Sequence, residues 1–209
     1  MVTLRFLFLR YLLELDNFLY HLINGLVVRV NAGTHPKHRI MKFHQFFLDN
    51  IEKNSLVLDI GCGIGALTYT ISQKAEKVIA CDLNPSSIKY AKRNYSRSNI
   101  EYLIADATNY EFKENFDYII LSNVLEHIKD RKIFLEKLKY LTKCFLIRVP
   151  MINRSWLALY KRELGLEYRL DRTHFIEYTL ESFQQELENV DLKLISCNIQ
   201  FGEIWARVQ

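Results

Sequence analysis

A single glycine-rich stretch constrains the fold of this chain more than any other part of its sequence. Residues 57–68 read VLDIGCGIGALT: an apolar run, an acid, and then glycines at the alternating positions Gly61, Gly63 and Gly65. Glycine allows positive φ and lets a ligand approach the backbone without meeting a Cβ. Because three of the seven glycines of the chain fall within this short loop, the stretch predicts a ligand-binding turn between a strand and a helix.

From residue 56 onward, short β-branched runs alternate with helical patterns. This alternation predicts an α/β fold in which a doubly wound, mostly parallel sheet carries helices on both faces. Strands are predicted at residues 56–60, 77–82, 100–105, 116–121, 144–149, 191–200 and 203–208, and helices at 66–73, 85–95, 131–141, 152–164 and 180–189. The last two strands form a hairpin around Gly202, which adds one antiparallel strand. The glycine loop then lies at the carboxyl edge of the sheet, where such folds bind ligands.

The N-terminal part of the chain is predicted to be an amphipathic helical extension, residues 1–33. Residues 2–30 are rich in Leu, Phe and Val, but charged residues interrupt them, so no apolar run approaches the ~20 residues that cross a bilayer. The polar face recurs at steps of three and four, at Arg10, Glu14, Asn17, His21 and Asn24. The opposite, apolar face is expected to pack on the domain, to contact a second subunit, or to lie at a membrane surface.

Composition limits which partners and which cellular compartment we expect for the protein. The chain has 209 residues and a formal net charge of +4, which is modest for a nucleic-acid binder. The cysteines lie far apart and form no C-x-x-C pair; they are Cys62, Cys81, Cys144 and Cys197. This spacing argues against a zinc site or a disulfide framework and favours a reducing cytoplasm. No signal-peptide pattern is evident, so we expect a cytoplasmic protein, with a peripheral membrane position left open.

Acidic residues follow the predicted strands at the same edge of the sheet as the loop. Asp82 ends the second strand about 20 residues past the loop, where a carboxylate accepts hydrogen bonds from ribose hydroxyls. Gly61, Gly63 and Ala66 also fit the dinucleotide pattern G-x-G-x-x-A, so Asp82 alone does not separate NAD from S-adenosylmethionine. Asp59, two residues before Gly61, is expected to face the loop.

Four segments together resemble the motifs of class I S-adenosylmethionine-dependent methyltransferases. These segments are VLDIGCGIG, CDLNPSSIKYAK, IADA and FDYIILSNVLEHIKD. The resemblance covers roughly residues 34–208 and is close to the small-molecule branch that includes the quinone-biosynthesis methyltransferases. It implies a Rossmann-like seven-stranded sheet with an antiparallel last strand, and a methyltransferase domain over residues 34–209.

The resemblance also implies a set of cofactor contacts. The residues concerned are Arg39, Asp59, Gly61, Cys62, Gly63, Gly65, Asp82, Leu83, Asp106, Ala107 and Asn123. Asp82 would hold the ribose, Leu83 would pack on the adenine, and Asp106 would bond the adenine amino group. Asn123 would close the site near the sulfonium. Arg39, in the segment HPKHRIMKFHQFF, would bind the methionine carboxylate, with a surface charge as the alternative.

The expected reaction is methyl transfer to a small or lipid-like acceptor, at oxygen or nitrogen. The protein must hold the acceptor in line with the methyl carbon, and such an acceptor also benefits from a general base. His127 and His174 are the candidate bases, with solvent-facing polar side chains as the alternative, and no metal is expected. Three other functions stay open: an RNA methyltransferase on the same fold, an NAD-dependent oxidoreductase, and a non-catalytic cofactor-binding assembly protein.

Overall fold

The computed structural model describes residues 2–31 and 35–209 of the chain. In these ranges seven strands form one sheet. The strands are β1 (Leu56–Ile60), β2 (Lys77–Asp82), β3 (Ile100–Ile104), β4 (Tyr118–Ser122), β5 (Phe145–Pro150), β6 (Leu194–Gln200) and β7 (Glu203–Val208). Their order is β3-β2-β1-β4-β5-β7-β6. Six strands run in the same direction, and β7 runs opposite to them. The predicted seven-stranded, mostly parallel sheet is confirmed.

The chain crosses the sheet between β3 and β4. From β1 it adds β2 and β3 on one side, and it then returns to place β4 on the other side of β1. The loops that leave the carboxyl ends of β1 and β4 therefore diverge and open a crevice, which is where ligands bind in sheets of this kind. The glycine loop follows β1 and residues 123–127 follow β4, so both segments border the crevice.

Helices surround the sheet and begin ahead of it in the chain. They are α1 (Val2–Val30), α2 (Lys37–Met41), α3 (Phe43–Asn50), α4 (Ala66–Ile71), α5 (Pro85–Asn94), α6 (Arg131–Leu138), α7 (Trp156–Glu163) and α8 (Leu180–Glu188). Two 3-10 turns, Leu125–His127 and Ile152–Arg154, follow β4 and β5.

The central strands are buried on both faces because their side chains alternate between two apolar layers. In β1, Leu58 belongs to a layer that includes Phe134 of α6 and Phe183 of α8. Its neighbour Val57 belongs to the other layer, with Phe47 of α3. All five side chains are buried, and burying a side chain of this size contributes roughly 1.5–3 kcal/mol. The two layers thereby fix β1 and the position at which the glycine loop leaves it.

The helix predicted over residues 152–164 begins later than expected. Ile152–Arg154 forms a 3-10 turn and Ser155 is extended, with φ −154° and ψ 152°. The Ser155 hydroxyl oxygen accepts the backbone N–H of Ala158 at 3.2 Å, which caps the helix. The predicted start is wrong because the apolar spacing continues across this cap, and α7 starts at Trp156.

The first helix, α1, meets the rest of the chain through its polar face and through Leu13, which is buried on the same side. Asn17 Nδ2 donates to the carbonyl of Glu167 at 2.7 Å, and Lys161 Nζ donates to Asn17 Oδ1 at 2.7 Å and to Asp16 Oδ2 at 2.5 Å. Apolar side chains elsewhere on the helix are exposed, among them Leu4, Leu7, Phe8, Tyr11, Leu12, Phe18, Leu19, Leu22, Ile23 and Leu26. The apolar face thus looks toward solvent. Within residues 2–31 and 35–209, no helix is both long and apolar enough to cross a membrane.

A buried ion pair joins β5 to β7 beneath the crevice. Arg148 Nε lies 2.8 Å from Glu203 Oε2, and both side chains are buried. Trp205 Nε1 also donates to Glu203 Oε2 at 2.9 Å, and the Arg148 guanidinium lies 3.9 Å from the centroid of the Phe43 ring. Removal of one partner of such a pair leaves a buried charge without compensation.

We predict that Glu203→Ala lowers the free energy of unfolding by about 3–5 kcal/mol, measured by urea denaturation. The matched control is Glu101→Ala, which removes the exposed partner of Lys77, 2.8 Å away. That change should lower the free energy of unfolding by about 0–1 kcal/mol. Equal losses in the two variants would contradict the assignment of the Arg148–Glu203 pair as a structural tie.

Candidate cofactor and acceptor site

The backbone of the glycine loop excludes side chains at two positions. Gly61 has φ +69°, and a Cβ there would lie 2.7 Å from Val124 Cγ2. Gly65 has φ +84°, and its Cβ would lie 2.5 Å from the Tyr102 hydroxyl oxygen. At Gly63 a Cβ would have no described heavy atom within 4 Å. The loop is therefore packed at its two ends and open in the middle, where a ligand can approach the backbone.

Asp82 ties the loop to the end of β2. Its Oδ2 accepts the backbone N–H of Gly63 at 2.8 Å, and its Oδ1 accepts the backbone N–H of Asn84 at 2.8 Å. Asn84 in turn caps α5 through its own side chain, which accepts the N–H of Ser86 at 2.9 Å. A carboxylate oxygen has lone pairs beyond these bonds, so Asp82 can accept further donors from a ligand.

Asp59 is the buried acid of the site. Thr68 Oγ1 donates to Asp59 Oδ2 at 2.6 Å, which holds the side chain between β1 and α4. Burial raises the pKa of Asp59 to about 7, although the hydrogen bond from Thr68 opposes this shift. Despite its burial, Asp59 lines a cavity beside the loop, on the side that the sequence predicts.

Two adjoining cavities lie at the crevice and share Gly61 and Asn123. The larger has a volume of about 450 Å³, and its lining includes the predicted cofactor residues Gly61, Asp82, Leu83, Asp106, Ala107 and Asn123. The smaller has a volume of about 240 Å³, and its lining includes Asp59, Gly61, Cys62, Gly63 and Asn123. Most of the predicted cofactor residues are thus brought together around one continuous crevice.

The smaller cavity carries the positive charge of the site. Lys37 and Arg148 both line it, opposite Asp59. Arg39 is exposed on α2 and, in the described structure, lines neither cavity. Gly65 likewise supports the loop from behind rather than lining a cavity.

Asn123 occupies the point where the two cavities meet. It adopts φ +58°, and its backbone N–H donates to the carbonyl of Arg148 at 2.8 Å. Its buried side-chain oxygen has no hydrogen-bond partner among the described residues. Buried polar atoms are nearly always paired, so this acceptor marks a place for a ligand donor.

The structure brings His127 and His174 together, with ring centroids 4.7 Å apart. His127 lines the larger cavity beside Thr173, and the Thr173 hydroxyl, which lies 2.9 Å from His127 Nδ1, also donates to Asp171 Oδ1 at 2.8 Å. His174 is buried, and its Nδ1 lies 3.1 Å from Glu177 Oε1. The two candidate bases therefore differ: only His127 borders the crevice.

Hydrogen bonding sets the protonation of His127. The single hydroxyl proton of Thr173 is given to Asp171, so His127 Nδ1 must be the donor to the Thr173 oxygen. Its Nε2 is then left without a proton, as a base requires. Burial and the neighbouring His174 lower the pKa of His127 below its usual value, which keeps the imidazole neutral at physiological pH.

Sequence reasoning does not single out Glu126, which lies beneath the two histidines. The Glu126 side chain is fully buried, and neither carboxyl oxygen has a hydrogen-bond partner among the described residues. Burial raises the pKa of Glu126 to about 8. Ligand atoms of Glu126, His127 and His174 all lie within 4.8 Å of one another, a set of the kind that binds divalent cations, although no metal is expected from the sequence. The adjacent acid and histidine after β4 are the signal that points to this cluster.

Lys37 and Arg148 are the other residues that sequence reasoning does not identify. Lys37 belongs to the same basic segment as Arg39, and the sequence does not predict which side of that helix faces the cavity. Arg148 interrupts an otherwise apolar strand, and that interruption is the signal that points to it.

Comparison with known proteins agrees with this geometry. Residues 57–144 match the family model described as a methyltransferase domain. The chain is 33% identical to a ubiquinone biosynthesis O-methyltransferase of Bradyrhizobium diazoefficiens, over 54% of this chain and 46% of that protein. It is 30% identical to N-methyltransferase 4 of Papaver somniferum, over 70% of this chain and 46% of that protein. The chain thus spans about half the length of these relatives.

Solved structures show the same fold. The DhpI complex with SAH superposes with a TM-score of 0.66 at 16% identity, covering 94% of this chain and 96% of that one. The N-methyltransferase NodS of Bradyrhizobium japonicum, in complex with S-adenosylhomocysteine, gives a TM-score of 0.60 at 16% identity, covering 80% and 85%. With the loop, the acids and the strand order, the family model and the relatives place the chain in the class I S-adenosylmethionine-dependent methyltransferases, and the solved structures show the shared fold. The cofactor of this class is S-adenosylmethionine, and the donor and acceptor groups of the two cavities fit it.

The raised pKa of Glu126 generates a stability prediction. The folded chain holds a proton on Glu126 that the unfolded chain has already lost, so the free energy of unfolding falls as pH rises up to about 8. The fall is at most about 1.4 kcal/mol per pH unit from this group. Between the usual histidine pKa and a pH of about 8, the free energy of unfolding measured by urea denaturation should depend less on pH in Glu126→Gln than in the wild type. The exposed control Glu188→Gln should leave it unchanged, and an equal slope in wild type and Glu126→Gln would show the assignment to be wrong.

Proposed function

We propose that this protein transfers the methyl group of S-adenosylmethionine to an oxygen or nitrogen of a small molecule. The observation that carries the proposal is the pair of adjoining cavities with different chemistry. The larger has carboxylates for the hydroxyl and amino groups of an adenosine, and the smaller has cations and a buried acid suited to an amino acid. A pyrophosphate would have to lie beside Asp59 and Asp82, which disfavours a dinucleotide.

We assign the adenosine to the larger cavity. Asp82 would accept the ribose hydroxyls while it keeps its bond to the N–H of Gly63. Leu83, which is exposed, offers an apolar surface for the adenine ring. Asp106 would accept from the adenine amino group, and Ala107 would contact the ring through its backbone.

The methionine part of the cofactor is assigned to the smaller cavity. Lys37 and Arg148 would bind its carboxylate, in place of the Arg39 that the family resemblance suggests. Asp59 also lines this cavity, where it could accept a hydrogen bond from the amino group of the methionine part. The unpaired Asn123 oxygen lies where the two halves of the cofactor would join. When bound, S-adenosylmethionine supplies an electrophilic methyl group.

His127 is the proposed general base. It borders the larger cavity, and its neutral imidazole has Nε2 free to take a proton from the acceptor. Thr173 and Asp171 hold the tautomer in which Nδ1 carries the hydrogen. His174, buried against Glu177, is proposed to position His127 rather than to touch the acceptor.

The relatives support a small acceptor. The two described above are named as a ubiquinone biosynthesis O-methyltransferase and as an N-methyltransferase. We assign this chemistry to residues 34–209 and treat residues 1–33 as an extension.

We predict that Asp82→Ala weakens S-adenosylmethionine binding by more than about tenfold, because two hydroxyl partners and the anchor of the loop are lost together. Isothermal titration calorimetry measures the change, and circular dichroism checks that the variant is folded. An unchanged dissociation constant would refute the placement of the ribose.

The same titration separates Lys37 from Arg39. Lys37→Ala should weaken binding by about tenfold, since it removes a charge-assisted hydrogen bond. Arg39→Ala, a matched change two residues along the same helix, should leave binding unchanged. The reverse result would return the carboxylate to Arg39.

We predict that His127→Gln lowers kcat by about 10²-fold or more, without changing the dissociation constant of the cofactor. Turnover is followed by transfer of a radiolabelled methyl group to a panel of simple catechols, phenols and secondary amines. Asp171→Asn should lower kcat as well, because the tautomer of His127 is no longer fixed. A wild-type rate and pH profile in His127→Gln would remove His127 as the base.

A further inference from the structure

The outward face of α1 has no partner among the described residues, and it carries a regular apolar pattern. We define this face by Leu4, Phe8, Tyr11, Leu15, Phe18 and Leu22. Their spacing alternates between four and three residues, which is the seven-residue repeat of helices that pair in coiled coils. Such a repeat is expected of a helix that packs lengthwise along another helix.

The area of this face exceeds what a monomer normally exposes. Leu4 is 75% exposed, Phe8 and Phe18 are each 63% exposed, and Tyr11 is 60% exposed. Together with the flanking leucines, they leave on the order of 1,000 Å² of apolar surface, against ~300–600 Å² for the largest patch of a typical monomer. A stable protein interface buries ~800 Å² on each partner, so the face is large enough to hold two molecules together.

We infer that α1 pairs with α1 of a second copy of this chain, antiparallel about a two-fold axis midway between Tyr11 and Leu15. This register sets Leu4 against Leu22 of the partner helix, Phe8 against Phe18 and Tyr11 against Leu15, so that the face covers its own copy. An isologous contact of this kind is the commonest form of protein dimer.

Charge favours the antiparallel arrangement. Arg29 continues the line of the repeat beyond Leu22, so a parallel pair would set Arg29 against its own copy. The antiparallel pair places the two arginines at opposite ends, and it sets the positive end of each helix dipole beside the negative end of the other.

The attachment of the domain permits this pairing. Asp16 and Asn17, the residues that bind Lys161, lie near the middle of α1 and on its other side. The two domains would therefore lie on opposite outer sides of the helix pair. A membrane-surface helix usually carries an excess of basic residues on its polar face, whereas the polar face of α1 balances Arg10 with Glu14, is otherwise Asn17, His21 and Asn24, and is turned to the domain.

Sedimentation equilibrium of the full chain tests the inference independently of methyl transfer. We expect a dimer at micromolar concentration, and Phe8→Glu or Leu22→Glu should raise its dissociation constant by about a hundredfold. Ile133→Glu, on the exposed surface of α6, is the matched control and should leave the dimer intact. A monomeric wild type, or a wild type that stays monomeric but sediments with phosphatidylcholine–phosphatidylglycerol vesicles, would overturn the proposal.

Disulfide crosslinking tests the orientation, in a background where the exposed Cys197 is replaced by Ser. The double variant Tyr11→Cys, Leu15→Cys should link to its own copy on mild oxidation. The double variant Leu4→Cys, Leu22→Cys should also link, whereas Leu4→Cys alone should not. Crosslinking of Leu4→Cys by itself would establish a parallel pair and contradict the proposed register.

Discussion

The hydrogen bond from the backbone N–H of Gly63 to the carboxylate of Asp82, 2.8 Å long, is the contact on which the architecture of the site depends. It joins a loop that leaves one strand to the end of the next strand. The glycines of the loop have positive φ, and the middle of the loop is open. Neither feature fixes the position of the loop. The carboxylate supplies the restraint from outside the loop. Asp82 also lines the larger cavity, so the residue that shapes the loop is positioned to bind a ligand there.

The crevice between β1 and β4 concentrates the polar atoms that the fold leaves unpaired. The Asn123 oxygen and both Glu126 oxygens lack described partners, and Asp59 is buried with only Thr68 to offset its desolvation. The buried charge of Arg148 is offset by Glu203, 2.8 Å away, although the Arg148 Nε–H itself has no hydrogen-bond partner among the described residues. Uncompensated polar groups destabilise a fold, and a protein retains them where a ligand or a reaction requires them.

Much of the sheet could be predicted because buried parallel strands are short apolar runs separated by turn residues, as in β1 and β4. The acids at the strand ends follow from the same pattern, since topology alone brings Asp82 and Asp106 to one edge. The side of a short helix is harder to predict. Lys37 and Arg39 lie two residues apart, about 200° around a helix, so one can face the cavity while the other does not. The phase of α2 depends on Lys42, whose φ of 54° ends it, and nothing in the residue types signals that turn.

The N-terminal helix shows the complementary difficulty. Hydrophobic periodicity identifies which face of a helix is apolar, but it does not say which face meets the domain. In α1 three hydrogen bonds to Lys161 and Glu167, together with the burial of Leu13, turn the polar face inward. The neutral bond is worth about 1 kcal/mol and the two from the Lys161 ammonium about 1.5–3 kcal/mol each, whereas burial of the whole apolar face at ~25 cal/mol per Å² is worth far more. The helix is therefore not stabilised mainly by the domain it is attached to. Its sequence is explained by a second surface that covers the apolar face, and the heptad spacing indicates that this surface is itself a helix.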